Sequence, residues 1–176
     1  MGRRRRADRR DDRRGGGGAN RYQMREKLVS IGDDFWIENA TGQRAYKVDG
    51  KALRVRDTLK FEDAHGKVLC QIQEKKVRVK DTMKIESPSG DTLATVKKAL
   101  ITPVRDRWEV NIANGPDLEI QGNIVDHEYR FEEGRTKVAE VSKKWFRVRD
   151  SYGVEIAPGQ NDILILAATV AVDMMR

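Results

Sequence analysis

Apolar and polar residues alternate along much of the chain with a period of two. In one stretch the apolar residues are Leu53, Val55, Leu59 and Phe61, and charged residues fill most of the positions between them. Residues 77–86 repeat the arrangement. Alternation over this length is typical of antiparallel strands with one buried face. The pattern therefore predicts a β protein rather than a bundle of amphipathic helices.

The alternation belongs to a repeat of 24 residues. Three copies follow one another without a gap, at 27–50, 51–74 and 75–98. Each has Lys first, Asp seventh, apolar residues ninth and eleventh, Glu twelfth and Gly sixteenth. Such self-similarity indicates a repeated supersecondary unit. The glycines fall in "ENATGQ", "EDAHGK" and "ESPSGD", where a hairpin loop needs a positive φ.

The repeated aspartates, Asp33, Asp57 and Asp81, fall in phase with the apolar residues. A strand running straight through them would turn a carboxylate toward the core, which is unfavourable unless it is paired. A tight turn, with Asp bonded to local backbone amides, is the simpler interpretation. Each copy is thus predicted to read strand, Asp-marked turn, strand, Gly-marked turn.

The chain ends in an uncharged apolar run at 163–172, and Asn161 or Asp162 could cap a helix there. Because no face of this helix is polar, it must be buried all round; five β-branched residues among the ten leave a core strand as the alternative. Turn signals predict about twelve strands, and a closed barrel of that size is too wide for its own side chains to fill. We therefore predict an all-β fold, an antiparallel closed barrel of about twelve strands around a buried C-terminal helix.

The positive charge of the chain is concentrated at its N-terminus. Residues 1–18 hold eight Arg and three Asp, which gives +5 of the total of +7. We divide the chain into a disordered Arg- and Gly-rich arm, residues 1–20, and a single barrel domain, residues 21–176. The arm could hold phosphates, including those of nucleic acid, non-specifically, or it could simply aid solubility.

A basic phrase, K-x-φ-R-V-[RK]-D-[ST] with φ apolar, occurs at 51–58, 75–82 and 144–151. In a strand its cations share the face opposite the apolar residues and point outward. If the three strands are neighbours, these cations form a site for anions. The alternative is a solvated face whose charges are balanced across strands by Glu62, Glu86, Glu140 and Glu155. The candidate anion-binding residues are Arg54, Arg56, Arg78, Lys80, Lys143, Lys144, Arg147 and Arg149.

Enzymatic chemistry has little support in the sequence. Asp126, His127 and Glu128 are metal-ligand types, but successive residues of a strand point to opposite faces and converge poorly on one ion. Cys70 is the single cysteine and is interpreted as a core thiol. We expect no catalytic residues, metal or cofactor. The ten-residue apolar run is too short to span a membrane, so we expect a cytoplasmic protein, peripheral if it meets a membrane.

Three long phrases resemble the LURP-one-related family, whose domain belongs with tubby C-terminal domains and phospholipid scramblases. They are "REKLVSIGDDFWIENATGQRAYKVDGK", "DLEIQGNIVDHEYRF" and "VSKKWFRVRDSYGVEI", and the resemblance covers about residues 22–176. It implies a twelve-stranded barrel around a central C-terminal helix. Tubby-type members bind phosphoinositide head groups through a basic pocket, although their lipid-binding motif has no match here.

We predict a non-enzymatic binding module of the LURP-one-related, tubby-like type. Its expected partners are anionic phospholipid head groups, met at the outward basic face, or a protein. The alternative is a structural or protein-interaction domain in which the arm binds nucleic acid or other anions non-specifically. Scramblase-type activity would need more membrane-directed sequence than the chain contains.

Overall fold

The described part of the chain forms a closed barrel of twelve antiparallel strands with one α-helix inside it. The computed structural model describes residues 18–25, 34–50, 58–74, 82–101 and 106–176. The strands are β1 (Asn20–Arg25), β2 (Phe35–Asn39), β3 (Arg44–Asp49), β4 (Thr58–Asp63), β5 (Val68–Glu74), β6 (Thr82–Glu86), β7 (Thr92–Ile101), β8 (Asp106–Ile112), β9 (Leu118–Asn123), β10 (Glu128–Glu133), β11 (Thr136–Ser142) and β12 (Ser151–Ile156). A 3₁₀ turn, Lys143–Trp145, precedes β12, and helix α1, Asp162–Met175, follows it. The predicted fold class is confirmed.

Each strand pairs with the next along the chain, and β1 pairs with β12 to close the barrel. Successive connections therefore alternate between two ends. We call the end where α1 begins the entry end; its connections are 40–43, 64–67, 87–91, 113–117 and 134–135. We call the end where α1 finishes the exit end; its described connections include 124–127 and 143–150.

Each copy of the repeat contains one hairpin: β2–β3, β4–β5 or β6–β7. The sixteenth residues, Gly42, Gly66 and Gly90, sit in the turns with φ of 80°, 86° and 95°, a conformation that few other residues adopt readily. The thirteenth residue supports the turn, as where Asp63 Oδ1 accepts from the backbone N of Lys67 at 3.0 Å. The Gly-marked turns are thus confirmed, whereas the aspartates Asp33, Asp57 and Asp81 lie outside the described residues.

The apolar residues at the ninth and eleventh positions point into the barrel. They are Phe35, Ile37, Leu59, Phe61, Met83 and Ile85, and all are buried. Immediately after each eleventh residue the pairing register shifts, for example between Phe61 and Glu62. A bulge of this kind bends the strand and increases its twist. The repeated apolar–Glu pair therefore marks where each hairpin curves around the barrel.

Helix α1 begins beside β1 at the entry end. Asn161 Oδ1 accepts from the backbone N of Leu164 at 3.1 Å, which makes Asn161 the N-cap. Asp162 Oδ2 accepts from Tyr22 Oη at 2.6 Å and from Asn20 Nδ2 at 2.7 Å. Because both donors belong to β1, these bonds tie the start of the helix to the strand that closes the barrel.

The helix occupies the barrel interior. Every residue from 164 to 173 is buried, including Thr169, whose hydroxyl donates to the carbonyl of Ile165 at 2.8 Å. Burial on all faces explains why the segment lacks a polar stripe. The helix is confirmed, and the alternative of a core strand for this segment is wrong.

Candidate functional site

The three copies of the basic phrase are attached to the same end of the barrel. The first copy lies between β3 and β4, the second between β5 and β6, and the third between β11 and β12. All three are exit-end connections because the strands alternate in direction. In the first two copies the residues before β4 and β6, with Arg54, Arg56, Arg78 and Lys80, lie outside the described residues.

The third copy forms a loop rather than a strand. Ser142 Oγ accepts from the backbone N of Lys144 at 3.1 Å and caps the 3₁₀ turn. Arg147 and Arg149 are exposed, and Asp150 has a φ of 58° in a turn before β12. The prediction that this copy places its cations on a strand face is therefore wrong, since the chain turns here. Asp150, which matches Asp57 and Asp81 in the phrase, therefore lies in a turn.

The loop folds back onto the outside of β12. Gly153 lies beneath it, and a Cβ at this position would come within 2.7 Å of the ring of Phe146 and 2.9 Å of that of Trp145. Only glycine permits this close approach. The guanidinium of Arg21 stacks on Trp145 at 5.4 Å and pairs with Glu155 at 2.5 Å. The aromatic residues thus hold the loop, and Arg147 and Arg149 remain at its exposed tip.

Glu128 anchors the other side of the loop. Its carboxylate accepts from Ser142 Oγ at 3.0 Å and from the backbone N of Lys143 at 3.1 Å. Lys144 Nζ lies 3.8 Å from the same carboxylate, but the Lys144 side chain is 81% exposed. An exposed ion pair of this length contributes little to stability. Lys144 is therefore available to an anionic ligand.

The glutamates that could balance the candidate cations pair elsewhere among the described residues. Glu62 lies 3.6 Å from Lys47, Glu86 lies 3.5 Å from Lys84, and Glu140 pairs with Lys137. Glu155 pairs with Arg21. Each of these four glutamates therefore has a cationic partner on a strand among the described residues.

A buried polar cluster lies under the exit end, inside the barrel. Tyr152 Oη donates to Asp173 Oδ2 at 2.5 Å, and His127 Nε2 lies 3.2 Å from Asp173 Oδ1. His127 also stacks on Tyr152, with 4.1 Å between ring centroids. Burial raises the pKa of Tyr152 well above its usual value, and the charge of Asp173 adds to the effect. Sequence reasoning missed this cluster, although an acidic residue directly after the apolar run of α1 was a signal for it.

The three adjacent metal-ligand types do not converge. Asp126 accepts from Asn123 Nδ2 at 2.7 Å on the surface, His127 points inward, and Glu128 faces the 143–150 loop. Within the described ranges, no group of three His, Cys, Asp or Glu side chains is placed to hold a metal ion. Burial raises the pKa of the Cys70 thiol to about 12, so the thiol stays protonated at neutral pH.

The entry end of the barrel contains a pocket without charged side chains, unlike the basic exit end. A pocket of about 280 Å³ lies between the start of α1 and strands β5 to β8. Its wall is formed by Leu69, Cys70, Ile85, Leu93, Ile112, Asn114, Asn161, Ile163 and Leu164. None of these side chains is cationic, so the pocket is unsuited to an anionic head group. The exposed cations of the third phrase lie at the opposite end.

Comparisons with known proteins agree on the architecture. A family model described as LURP-one-related matches residues 20–173. Among solved structures, the chain is similar to an X-ray structure of a protein from Arabidopsis thaliana, with a TM-score of 0.64 and 17% identity over 89% of this chain and 90% of that chain. Identity at this level shows a shared fold alone. A search of curated proteins finds no match.

In the part of the chain that the structure describes, no helix is both long and apolar enough to cross a membrane.

Proposed function

The chain belongs to the LURP-one-related family, and on that premise we propose that its barrel is a non-enzymatic module that binds anionic phospholipid head groups. The binding region is the basic exit end, and the protein meets the membrane from one side without crossing it. The family and the barrel fold support a binding-type domain. Recognition of phospholipid is the part that we propose.

The 143–150 loop carries the proposal. It holds four cations, Lys143, Lys144, Arg147 and Arg149, and one carboxylate, Asp150, a net charge of +3 in eight residues. Arg147 and Arg149 are exposed at its tip. Arginine and lysine bind phosphate through charge-assisted hydrogen bonds, and each cation near an anionic membrane contributes on the order of 1 kcal/mol.

The other copies of the phrase extend the proposal. Arg54, Arg56, Arg78 and Lys80 hold the matching positions of the phrase in the sequence. The described strands on either side of their segments end and begin at the exit end. Copies gathered at one end would give an anionic surface several contacts at once. We therefore include these four cations, by sequence equivalence, in the proposed region.

Charge reversal tests the proposal. We expect the double variant Arg147→Glu, Arg149→Glu to bind vesicles containing anionic phospholipid about a hundred-fold more weakly than the wild type, since two attractive charges become repulsive. The measurement is co-sedimentation of the full chain with vesicles of known composition. A second variant reverses Arg54, Arg56, Arg78 and Lys80 and should weaken binding in the same direction.

A matched control reverses two exposed cations at the entry end. The variant Lys67→Glu, Arg135→Glu changes the net charge by the same amount, but both residues lie in turns at the other end of the barrel. We expect it to bind nearly as well as the wild type. Equal loss in both double variants would show that net charge alone matters, and the assignment to the exit end would then be wrong.

A second candidate function rests on the arm. Residues 1–18 contain eight arginines, and such a segment binds phosphodiesters by charge alone, with strong salt dependence. In this alternative the barrel is a structural or protein-interaction domain and the arm supplies non-specific anion or nucleic-acid binding. Removal of the arm would then abolish all anion binding.

A further inference from the structure

Two exposed valines mark the exit end of the barrel. Among the described residues, the large apolar side chains that are strongly exposed are Val125, at 67%, and Val148, at 47%. Val125 lies in the turn between β9 and β10, and Val148 lies at the tip of the 143–150 loop. A single exposed valine is unremarkable. Two at one end, on adjacent connections, require an explanation.

The backbone holds both valines in place. Val148 O accepts from Ser151 Oγ at 2.7 Å, so the tip of the loop is fixed to the first residue of β12. Val125 O accepts from Arg176 Nη1 at 3.3 Å, which links its turn to the end of α1. Glu128 joins the two connections, because it follows the Val125 turn and accepts from the backbone of Lys143. The backbone at each valine is therefore hydrogen-bonded to a neighbouring element of the barrel.

The surroundings of Val148 are those of an interfacial anchor. Arg147 and Arg149 flank it directly, and Trp145 lies partly buried three residues earlier in the same loop. Tryptophan favours the boundary between water and hydrocarbon, where cations meet phosphates and aliphatic side chains enter the acyl region. A soluble head group would satisfy the cations but would leave the valines in water.

We infer that the exit end docks onto an anionic bilayer, with Val148 and Val125 inserted into the interface and Arg147 and Arg149 at the level of the phosphates. This rests on the proposed function and deepens it, because it makes the partner a bilayer surface rather than a free head group. In this orientation the barrel axis points toward the membrane, and the entry end faces away.

The first test removes the apolar groups and keeps the charge. We expect Val125→Ser and Val148→Ser each to weaken binding to vesicles of phosphatidylserine and phosphatidylcholine about five-fold, in line with partial burial of one small side chain. Binding of a soluble inositol phosphate should be unchanged. Thermal melts confirm that the variants are folded, which is expected because both positions are exposed.

The second test adds apolar surface. Val148→Trp should bind the same vesicles several-fold more tightly, because tryptophan gains more at the interface than valine. The control Ala64→Trp places the same ring in an exposed turn at the entry end and should have no effect. Equal gains at both ends would overturn the proposed orientation.

A third test reports position directly. In a Trp36→Phe variant the remaining tryptophans are Trp145 and Trp108, and Trp108 is only 1% exposed. Lipids brominated near the head of the acyl chain should quench the fluorescence of Trp145, and the quenching should disappear when Trp145 is also replaced by Phe. Wild-type binding by the serine variants, with no quenching, would overturn the inference. If the serine variants bound normally but reversal of Arg147 and Arg149 still weakened binding, only the bilayer insertion would be wrong and head-group binding would stand. If charge reversal also had no effect, the proposed head-group binding would be wrong as well.

Discussion

Asp173 is a carboxylate buried inside a largely apolar barrel. Transfer of an unpaired charge to such a site is strongly unfavourable, so its partners decide whether the fold tolerates it. Tyr152 donates to one carboxylate oxygen at 2.5 Å, and His127 lies 3.2 Å from the other. Arg176, at the end of the helix, has its Nε 3.8 Å from the same oxygen as His127. The cluster thereby joins the end of α1 to β12 and to the β9–β10 turn.

Tyr152→Phe removes one donor and leaves the ring. We expect the free energy of unfolding to fall by about 1–3 kcal/mol, because a buried carboxylate loses a hydrogen bond and gains no solvent. Urea unfolding measures the loss, and the double variant Tyr152→Phe, Asp173→Asn should lose less than the sum of the two single variants. Full additivity would mean that the two side chains do not interact.

Individual residues were predictable where a local rule applies to them. Gly42, Gly66 and Gly90 could be placed in turns because a hairpin loop requires a positive φ. The contact between His127 and Asp173 could not, since it joins residues 46 positions apart that meet only after the helix enters the barrel. The requirement for glycine at position 153 could not be predicted either. It arises because the rings of Trp145 and Phe146, in the 143–150 loop, pack against β12 where a Cβ of residue 153 would lie.

The 24-residue hairpin is the element from which half of the barrel is built. Its apolar ninth and eleventh residues face inward, the register shifts after the eleventh, and the glycine at sixteen turns the chain. The alternation of apolar and polar residues predicted these strands because successive side chains of a strand point to opposite faces of the sheet. The same alternation wrongly predicted a strand for the third basic phrase, where Val148 lies in an exposed loop. A short alternating stretch looks alike in a strand and in a loop.

Helix α1 is the element on which the barrel depends for a filled interior. Ala168 lies in its centre and is 1% exposed. Ala168→Asp would bury a charge with no partner, at an energetic cost that approaches the whole stability of a small domain. We expect this variant to show no cooperative thermal transition and a loss of the near-ultraviolet circular dichroism of packed aromatic residues.

The matched control is Ala113→Asp, in an exposed turn between β8 and β9. It introduces the same carboxylate at the surface and should melt within a few degrees of the wild type. If Ala168→Asp remained as stable as this control, the helix could not be packed within the barrel.

At the scale of the whole molecule, the barrel separates two ends of different chemistry. The entry end carries tight Gly turns and an uncharged pocket, whereas the exit end carries the basic loop, the exposed valines and the buried polar cluster beneath them. The strand number, closure and central helix followed from alternation, turn spacing and an uncharged helical segment. That the three basic phrases connect strands at the same end of the barrel could not be predicted from the sequence repeat. It follows only from the order of the strands in the sheet.

The central claim is that the barrel itself, rather than the arm, binds anionic membranes. The most direct measurement is co-sedimentation of the full chain and of residues 20–176 with anionic and neutral vesicles over a salt series. We predict that residues 20–176 pellet with anionic vesicles at low salt, are released as salt screens the attraction, and do not pellet with neutral vesicles to the same extent. If only the full chain pellets, the binding belongs to the arm, and the account of the exit end as a membrane-binding surface is wrong.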